Sequence, residues 1–124
     1  MKKKKDATPG LLEAIIGGIF EKQADRVVKL DMRKLENRVS DYFIVCHGNS
    51  RTQVDSIAES IIHNVKKEVR MRPVHVEGQE NCFWVLVDYG EVIVHIFQSE
   101  FRDFYNLESL WADATVEQLE DKVK

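Results

Sequence analysis

The stretch of residues 83–97 constrains this chain most, because its pattern predicts two strands joined by a tight turn and apolar on both faces. Placing Tyr89 and Gly90 in the turn pairs Val87 with Val92 and Trp84 with His95. Since side chains alternate along a strand, one face then carries Phe83, Val85, Val87, Val92, Val94 and Ile96. The other face carries Trp84, Leu86, Asp88, Glu91, Ile93, His95 and Phe97. One helix layer cannot cover both faces, so the second face needs the C-terminal part of the chain or another molecule.

The length and composition predict one soluble globular domain over residues 1–124, with 44% hydrophobic and 31% charged residues. No apolar run approaches the roughly 20 residues that span a bilayer. The basic start, residues 1–8, is unlike a signal peptide because Asp6, Thr8 and Pro9 follow the lysines. We therefore expect a cytoplasmic protein that does not contact a membrane.

The charge distribution indicates a basic partner. The net charge of −3 argues against a general or sequence-specific affinity for nucleic acid. From Gln98 to Lys124 there are seven acidic and three basic residues. This acidic balance favours a positively charged protein surface.

The remaining periodicities complete an α-β-β-α-β-β-β-α order. Helices are predicted from Thr8 and, with a Ser50/Gln53 capping box, over residues 50–69. Strands are predicted over residues 26–32, 41–46 and 74–76, before the hairpin. An aromatic, roughly helical segment follows over residues 101–111, and residues 115–124 are predicted to form an acidic helix or tail. The order predicts an α/β fold, a mixed five-stranded sheet with helices packed against it.

Metal or catalytic chemistry finds little support in the sequence. The four histidines show no metal-ligand spacing, so we predict neither a metal nor a cofactor. Cys46 and Cys82 are expected to be buried reduced thiols. His95 is unusual because the predicted register sets it beside Trp84, and both a structural role and an interface role stay open.

The Gly48-Asn49-Ser50 turn between a strand and a helix admits two interpretations. Free backbone N–H groups at such a turn bind anions, as in nucleotidyltransferases. Those enzymes also need a pair of carboxylates on the next strand to hold two metals, and here Asp88 has only Glu91 near it. A helix cap is the favoured interpretation. The alternative is a nucleotidyltransferase-like enzyme or nucleotide-binding domain using Asp88 and a single metal.

The aromatic segment of residues 101–111 also leaves two interpretations open. Such a segment usually packs onto the sheet. Arg102, Tyr105 and Trp111 are nevertheless residue types that dominate interface energetics.

Ordered motifs over residues 11–114 resemble the ribosomal silencing factor family, also called the Iojap family. The motifs are Asp41-Tyr42-Phe43-Ile44-Val45, Gly48-Asn49-Ser50-Arg51-Thr52-Gln53-Val54, Trp84-Val85-Leu86-Val87-Asp88-Tyr89-Gly90, Val94-His95-Ile96-Phe97, Arg102-Asp103-Phe104-Tyr105 and Leu107-Glu108-Ser109-Leu110-Trp111-Ala112-Asp113-Ala114. The lysine start and the tail after Thr115 fall outside the resemblance. Glu91 in place of the family's Asp keeps the charge, whereas His47 replaces a small residue before Gly48.

The resemblance implies a nucleotidyltransferase-like sheet without catalytic carboxylates, and a protein that is not an enzyme. It implies binding to the large ribosomal subunit through ribosomal protein uL14, steric blocking of small-subunit association, and repressed translation under nutrient limitation. The predicted contact residues are Trp84, Asp88, Tyr89, Glu91 and His95, with Arg102 and Tyr105 as second choices. Free copies are expected to pair through the same surface.

Overall fold

A computed structural model describes residues 7–120 of the chain, with the side chains of residues 104, 108 and 110 left out. The lysine start and the end of the predicted acidic tail, residues 1–6 and 121–124, lie outside the described residues. Within residues 7–120, ten elements follow one another: α1 (Thr8–Glu21), β1 (Asp25–Asp31), β2 (Tyr42–Gly48), α2 (Arg51–Val69), β3 (His75–Glu77), β4 (Trp84–Asp88), β5 (Val92–Gln98), α3 (Ser99–Tyr105), α4 (Leu107–Leu110) and β6 (Thr115–Gln118).

The strands form one mixed sheet in the order β3-β4-β5-β2-β1-β6. Strands β2 and β5 are parallel, with Ile44 opposite Val94. The other neighbouring pairs are antiparallel. The predicted mixed α/β fold with packed helices is therefore confirmed, but its sheet has six strands among the described residues where the sequence predicted five.

The additional strand, β6, corrects the prediction of an acidic helix or tail after Thr115. It pairs antiparallel with β1, setting Leu30 opposite Val116, and Lys29 forms an ion pair of 3.1 Å with Glu117. All four β6 side chains are exposed. Because backbone pairing with β1 forms this strand, its sequence carries no alternating apolar signal.

The β4–β5 hairpin keeps the predicted faces but shifts in register. Trp84 lies opposite Phe97, and Val87 lies opposite Val94. The Tyr89 N–H donates to the Val92 carbonyl at 2.9 Å, so the central turn residues are Gly90 and Glu91. Gly90 has φ +88°, which favours glycine. The predicted position of the turn is wrong, yet the two-residue shift in pairing leaves the side chains of β4 and β5 on their predicted sides of the hairpin.

Helix α2 confirms the prediction from the capping box, because Ser50 Oγ accepts a hydrogen bond from the Gln53 N–H at 3.1 Å. Helix α1 packs closely against it. A Cβ added at Gly18 would lie 2.9 Å from Ile61 Cα. Ser60 Oγ donates to the Gly18 carbonyl at 2.8 Å. The small residue at position 18 therefore lets the two helices approach and cover the sheet as one layer.

The two sides of the sheet differ in composition. We call the side under α1 and α2 the helix-covered face; its strand residues include Ile44, Cys46, Val85, Val87, Tyr89, Val92, Val94 and Ile96. We call the opposite side the mixed face; it includes Val28, Leu30, Phe43, Val45, Trp84, Leu86, Ile93 and Phe97. Both cysteines are buried and free, as predicted.

The C-terminal segment covers much of the mixed face, packing Phe101, Leu107 and Trp111 onto it. The chain itself therefore supplies most of the second layer. Phe83, predicted for the helix-covered core, is 42% exposed and stacks on Phe101 at 4.5 Å between ring centroids. Cys82 has φ +59°, and this local turn interrupts the strand alternation before β4 begins.

Candidate functional site

Three aromatic rings meet where β4 begins, and we call them the aromatic cluster: Trp84, Phe97 and Tyr105. The Trp84 ring lies 5.0 Å from Phe97 and 4.8 Å from Tyr105, measured between centroids. Phe97 is buried under the other two, whereas Trp84 is half-buried and Tyr105 is 44% exposed. The cluster therefore offers two large amphipathic rings on a fixed base, an arrangement typical of interface anchors.

His95 lies beneath Trp84 and holds its indole in place. Trp84 Nε1 donates to His95 Nδ1 at 3.0 Å, and the Phe43 ring contacts the imidazole edge-on at 4.5 Å between centroids. His95 is 4% exposed, and burial lowers its pKa to about 3. A neutral imidazole with Nδ1 as acceptor carries its proton on Nε2, which has no hydrogen-bond partner among the described residues. The structural interpretation of His95 is thus favoured.

The turn end of the hairpin carries three more of the predicted contact residues, which we call the turn cluster: Asp88, Tyr89 and Glu91. Asp88 Oδ1 accepts a hydrogen bond from the Gly90 N–H at 2.7 Å and so stabilises the turn. Glu91 is exposed. Tyr89 is only 3% exposed, because the true turn begins one residue later and β4 carries its ring into the helix-covered core.

The structure separates the two clusters along β4. Trp84 and Asp88 point to the same side of the sheet but are four residues apart, or about 13 Å along an extended strand. The predicted register paired Trp84 with His95 and grouped both with Asp88, Tyr89 and Glu91 as contact residues. In the observed register Trp84 lies at the opposite end of the hairpin, while His95 faces Leu86 in its middle.

Arg102 is the largest fully buried side chain that carries a charge, with 1% exposure. Its Nη1 donates to the Arg26 carbonyl at 2.6 Å and lies 3.0 Å from His47 Nδ1. Burial, together with the Arg102 charge, lowers the pKa of His47. Arg102 therefore attaches α3 to β1 and β2, and its side chain is buried.

Of the seven predicted contact residues, four present side chains to the solvent at least in part: Trp84, Asp88, Glu91 and Tyr105. Tyr89, His95 and Arg102 are buried, so their side chains are not presented to the solvent. Phe83 and Phe101, which the sequence did not predict as site residues, form a stacked pair on the same flank as the aromatic cluster. Phe101 and Tyr105 are four residues apart on α3, and this i, i+4 spacing is the signal that would have joined them.

Within the Gly48-Asn49-Ser50 turn, Asn49 lines a cleft of about 870 Å³ beside the end of α1 and the start of β1. The Asn49 N–H donates to Gln53 Oε1 at 2.7 Å, and the Gln53 N–H donates to Ser50 Oγ. These N–H groups are thus satisfied within the cap. Across residues 7–120, no group of three or more His, Cys, Asp or Glu side chains is placed to hold a metal ion.

Among the helices of the described range, none is both long and apolar enough to cross a membrane. The features above define a mixed α/β protein with a partly exposed aromatic cluster on the less covered side of its sheet. Residues 5–124 match the family model described as "Ribosomal silencing factor during starvation". The chain belongs to this ribosomal silencing factor family, which confirms the resemblance seen in the motifs.

Individual relatives agree with the family assignment. The chain is 40% identical over 113 residues to the ribosomal silencing factor of Halalkalibacterium halodurans, covering 89% of this chain and 92% of that protein. It is 42% identical over 110 residues to the factor of Bacillus subtilis, with the same coverage. A crystal structure of a Chromobacterium violaceum protein superposes with a TM-score of 0.79 at 29% identity, covering 97% of this chain and 98% of the other. The family is one of translation regulators that associate with ribosomes.

Proposed function

We propose that this chain acts as one domain that binds the large ribosomal subunit through ribosomal protein uL14 and blocks association of the small subunit. The proposed setting is the cytoplasm under nutrient limitation, where the block represses translation. The mechanism is steric, so the protein needs no cofactor and is not an enzyme. The observation that carries the proposal is the partly exposed pair of Trp84 and Tyr105 on a buried base, in a chain of this family.

The docking surface combines the aromatic cluster with the turn cluster. Trp84 and Tyr105 supply apolar area at low cost in side-chain entropy, since their rings are already held by Phe97 and His95. Asp88 adds negative charge about 13 Å from Trp84 along β4, and Glu91 adds a second negative charge in the turn. A basic ribosomal protein matches this pattern because opposite charges speed association and disfavour wrong partners.

Subunit joining is the first test of the proposal. Sedimentation profiles of purified large and small subunits should show fewer joined ribosomes when the protein is in excess. Unchanged joining would remove the proposed function.

Calorimetric titration with nucleotide and magnesium tests the alternative of a nucleotidyltransferase-like enzyme. The titration should give no appreciable heat, and binding heat would revive that alternative.

Trp84→Ala tests the surface itself. We expect a loss of at least about 2 kcal/mol in binding to the large subunit, because the variant removes a central aromatic anchor. Trp84→Phe keeps a ring but removes the N–H that donates to His95, so an intermediate loss of binding is expected.

We also propose that free copies of the protein pair through this surface. Trp84→Ala should then weaken self-association in analytical ultracentrifugation.

The matched control is Trp111→Ala, which truncates the other tryptophan of the chain. Trp111 is also half-buried, but it packs edge-on against Phe43 at 5.8 Å between centroids. This variant should lose stability and keep its affinity for the subunit. Circular dichroism establishes that each variant is folded before binding is compared. Wild-type affinity in folded Trp84→Ala would exclude Trp84 as the anchor.

A further inference from the structure

The C-terminal end of α2 and the residues after it carry a concentration of positive charge that the proposed docking surface does not use. We call Lys66, Lys67, Arg70 and Arg72 the basic helix end. All four are exposed, and the single carboxylate in this stretch is Glu68. Within residues 7–120, none of the four side chains forms an ion pair or hydrogen bond. Their charge is therefore available to an external anion.

The N-terminal end of α1 lies beside this patch, since a Cβ added at Gly10 would be 3.4 Å from Val69 Cγ1. Four consecutive lysines, residues 2–5, precede that end in the sequence. In the sequence, one basic stretch precedes α1 and the other follows from the last turn of α2. The overall charge of −3 conceals this segregation of positive from negative residues.

Arg70 occupies a backbone position that favours a different residue. It caps α2 in the left-handed conformation, with φ +58°, and its N–H donates to the Lys66 carbonyl at 3.1 Å. Glycine or asparagine is the usual residue there because a Cβ is strained in this conformation. An exposed arginine at such a cap adds charge at a cost to the backbone, which points to a use outside the fold.

The basic helix end adjoins the turn cluster. The Val74 N–H donates to the Asp88 carbonyl at 2.7 Å, and His75 pairs with Asp88 across the β3–β4 ladder. Arg72 lies only two residues before Val74, which is at most about 7 Å of extended chain. A partner assembly that contacts Asp88 and Glu91 with a basic protein therefore meets a positive patch directly beside that contact.

We propose that the basic helix end binds the phosphate backbone of RNA next to the protein docking site on the large ribosomal subunit. The inference rests on the proposed function for its location and on the described charges for its chemistry. An anionic membrane fits the patch less well, because Val69 and Met71 pack against the helix-covered core and are not free to insert among lipids. The contact is to phosphate, so it carries no sequence preference.

The test measures the salt dependence of binding for charge-matched variants. Lys66→Gln/Lys67→Gln removes two charges from the patch, and Lys22→Gln/Lys34→Gln removes two exposed lysine charges elsewhere. Each protein is titrated, over a series of KCl concentrations, with intact large subunits and with protein-free large-subunit RNA. The magnitude of the slope of log affinity against log salt should decrease by about one per lost phosphate contact. The patch variant should therefore show a decrease of up to about two. The control should keep the wild-type slope.

Arg70→Gly provides a second variant, and loss of structure cannot explain its effect on binding. It should melt at or above the temperature of the wild type while its salt slope falls by about one. Equal slopes for patch variant, control and wild type would overturn the inference. Binding to phosphatidylcholine/phosphatidylglycerol vesicles without binding to the RNA would also overturn it and assign the patch to a membrane.

The two proposals fail in different ways. If the wild type does not bind intact subunits, the proposed function falls, and the protein-free RNA still decides whether the patch binds phosphate. If subunit binding depends on Trp84 but has the same salt slope in the patch variant, the docking proposal stands and the RNA contact falls.

Discussion

The two faces of the sheet are built from the same strands but are closed in different ways. On the helix-covered face, two long helices pack against branched aliphatic side chains, and Gly18 brings those helices into close contact. On the mixed face, the short helices α3 and α4 lie over a layer that contains a histidine and several aromatic rings, and Phe83 and Tyr105 stay partly exposed. We infer that the helix-covered face supplies most of the stability. The mixed face is less stabilising because it keeps aromatic side chains partly exposed for recognition.

Strand β5 contributes side chains to both faces, and this explains why it is apolar at every position except His95 and Gln98. Ile96 points into the helix-covered face and Ile93 into the mixed face. Complete burial of one and slight exposure of the other reflect the denser cover of α1 and α2. The contrast can be tested by making the same change on each side.

Ile96→Ala should have the largest effect on stability, with a loss of about 3–5 kcal/mol in the free energy of unfolding. The residue is fully enclosed, so the cavity left behind cannot fill by relaxation of its neighbours. Ile93→Ala makes the same truncation three residues earlier and should cost about 2–3 kcal/mol, because the C-terminal segment can settle into the gap. Urea denaturation of both variants measures the difference. Equal losses would show that the two faces are packed alike.

Acid should destabilise the protein through the mixed face. The pKa of His95 is about 3 in the folded protein, against 6.5 as its usual value, because burial disfavours the imidazolium. The contribution of neutral His95 to the free energy of unfolding is therefore fully present above about pH 6.5 and is lost as the pH falls toward 3. Between pH 7 and pH 5 this group alone should lower the free energy of unfolding by about 2 kcal/mol.

His95→Asn sharpens this test, because the amide can still accept a hydrogen bond from Trp84 Nε1 but does not titrate. Its free energy of unfolding should change less between pH 7 and pH 5 than that of the wild type. His63→Asn, at an exposed position on α2, is the matched control and should keep the wild-type difference. A His95→Asn variant with undiminished pH dependence would assign the acid sensitivity to other groups.

Local patterns in the sequence predicted the features that local physics decides. Helix α2 follows from its capping box and its helical spacing, and the two faces of the hairpin follow from strict alternation. The alternation survived a wrong turn because a register shift of two residues changes partners without changing faces. The motifs predicted the family for a different reason. A motif is compared residue by residue with other sequences, and this comparison does not require knowledge of contacts in the fold.

Features that depend on distant contacts escaped prediction. Strand β6 forms by backbone pairing with β1, so its exposed side chains give no signal. Arg102 is buried because the Arg26 carbonyl and His47 meet it from other elements, which no pattern around position 102 reveals. Tyr89 was predicted as an exposed anchor only because the turn was placed one residue too early. Three of the seven predicted contact residues, Tyr89, His95 and Arg102, are therefore buried.

Tyr89→Phe tests that correction and should have the smallest effect. The Tyr89 hydroxyl is buried in the helix-covered face without a hydrogen-bond partner among the described residues, and burial raises its pKa to about 12. Removing a buried, unpaired hydroxyl should raise the free energy of unfolding by about 1 kcal/mol or less. Affinity for the large subunit should not change, whereas Tyr105→Ala should weaken it, since Tyr105 lies on the exposed side of the aromatic cluster. Weaker binding by a stable Tyr89→Phe would show that the turn opens on the ribosome, and that the helix-covered face also takes part in recognition.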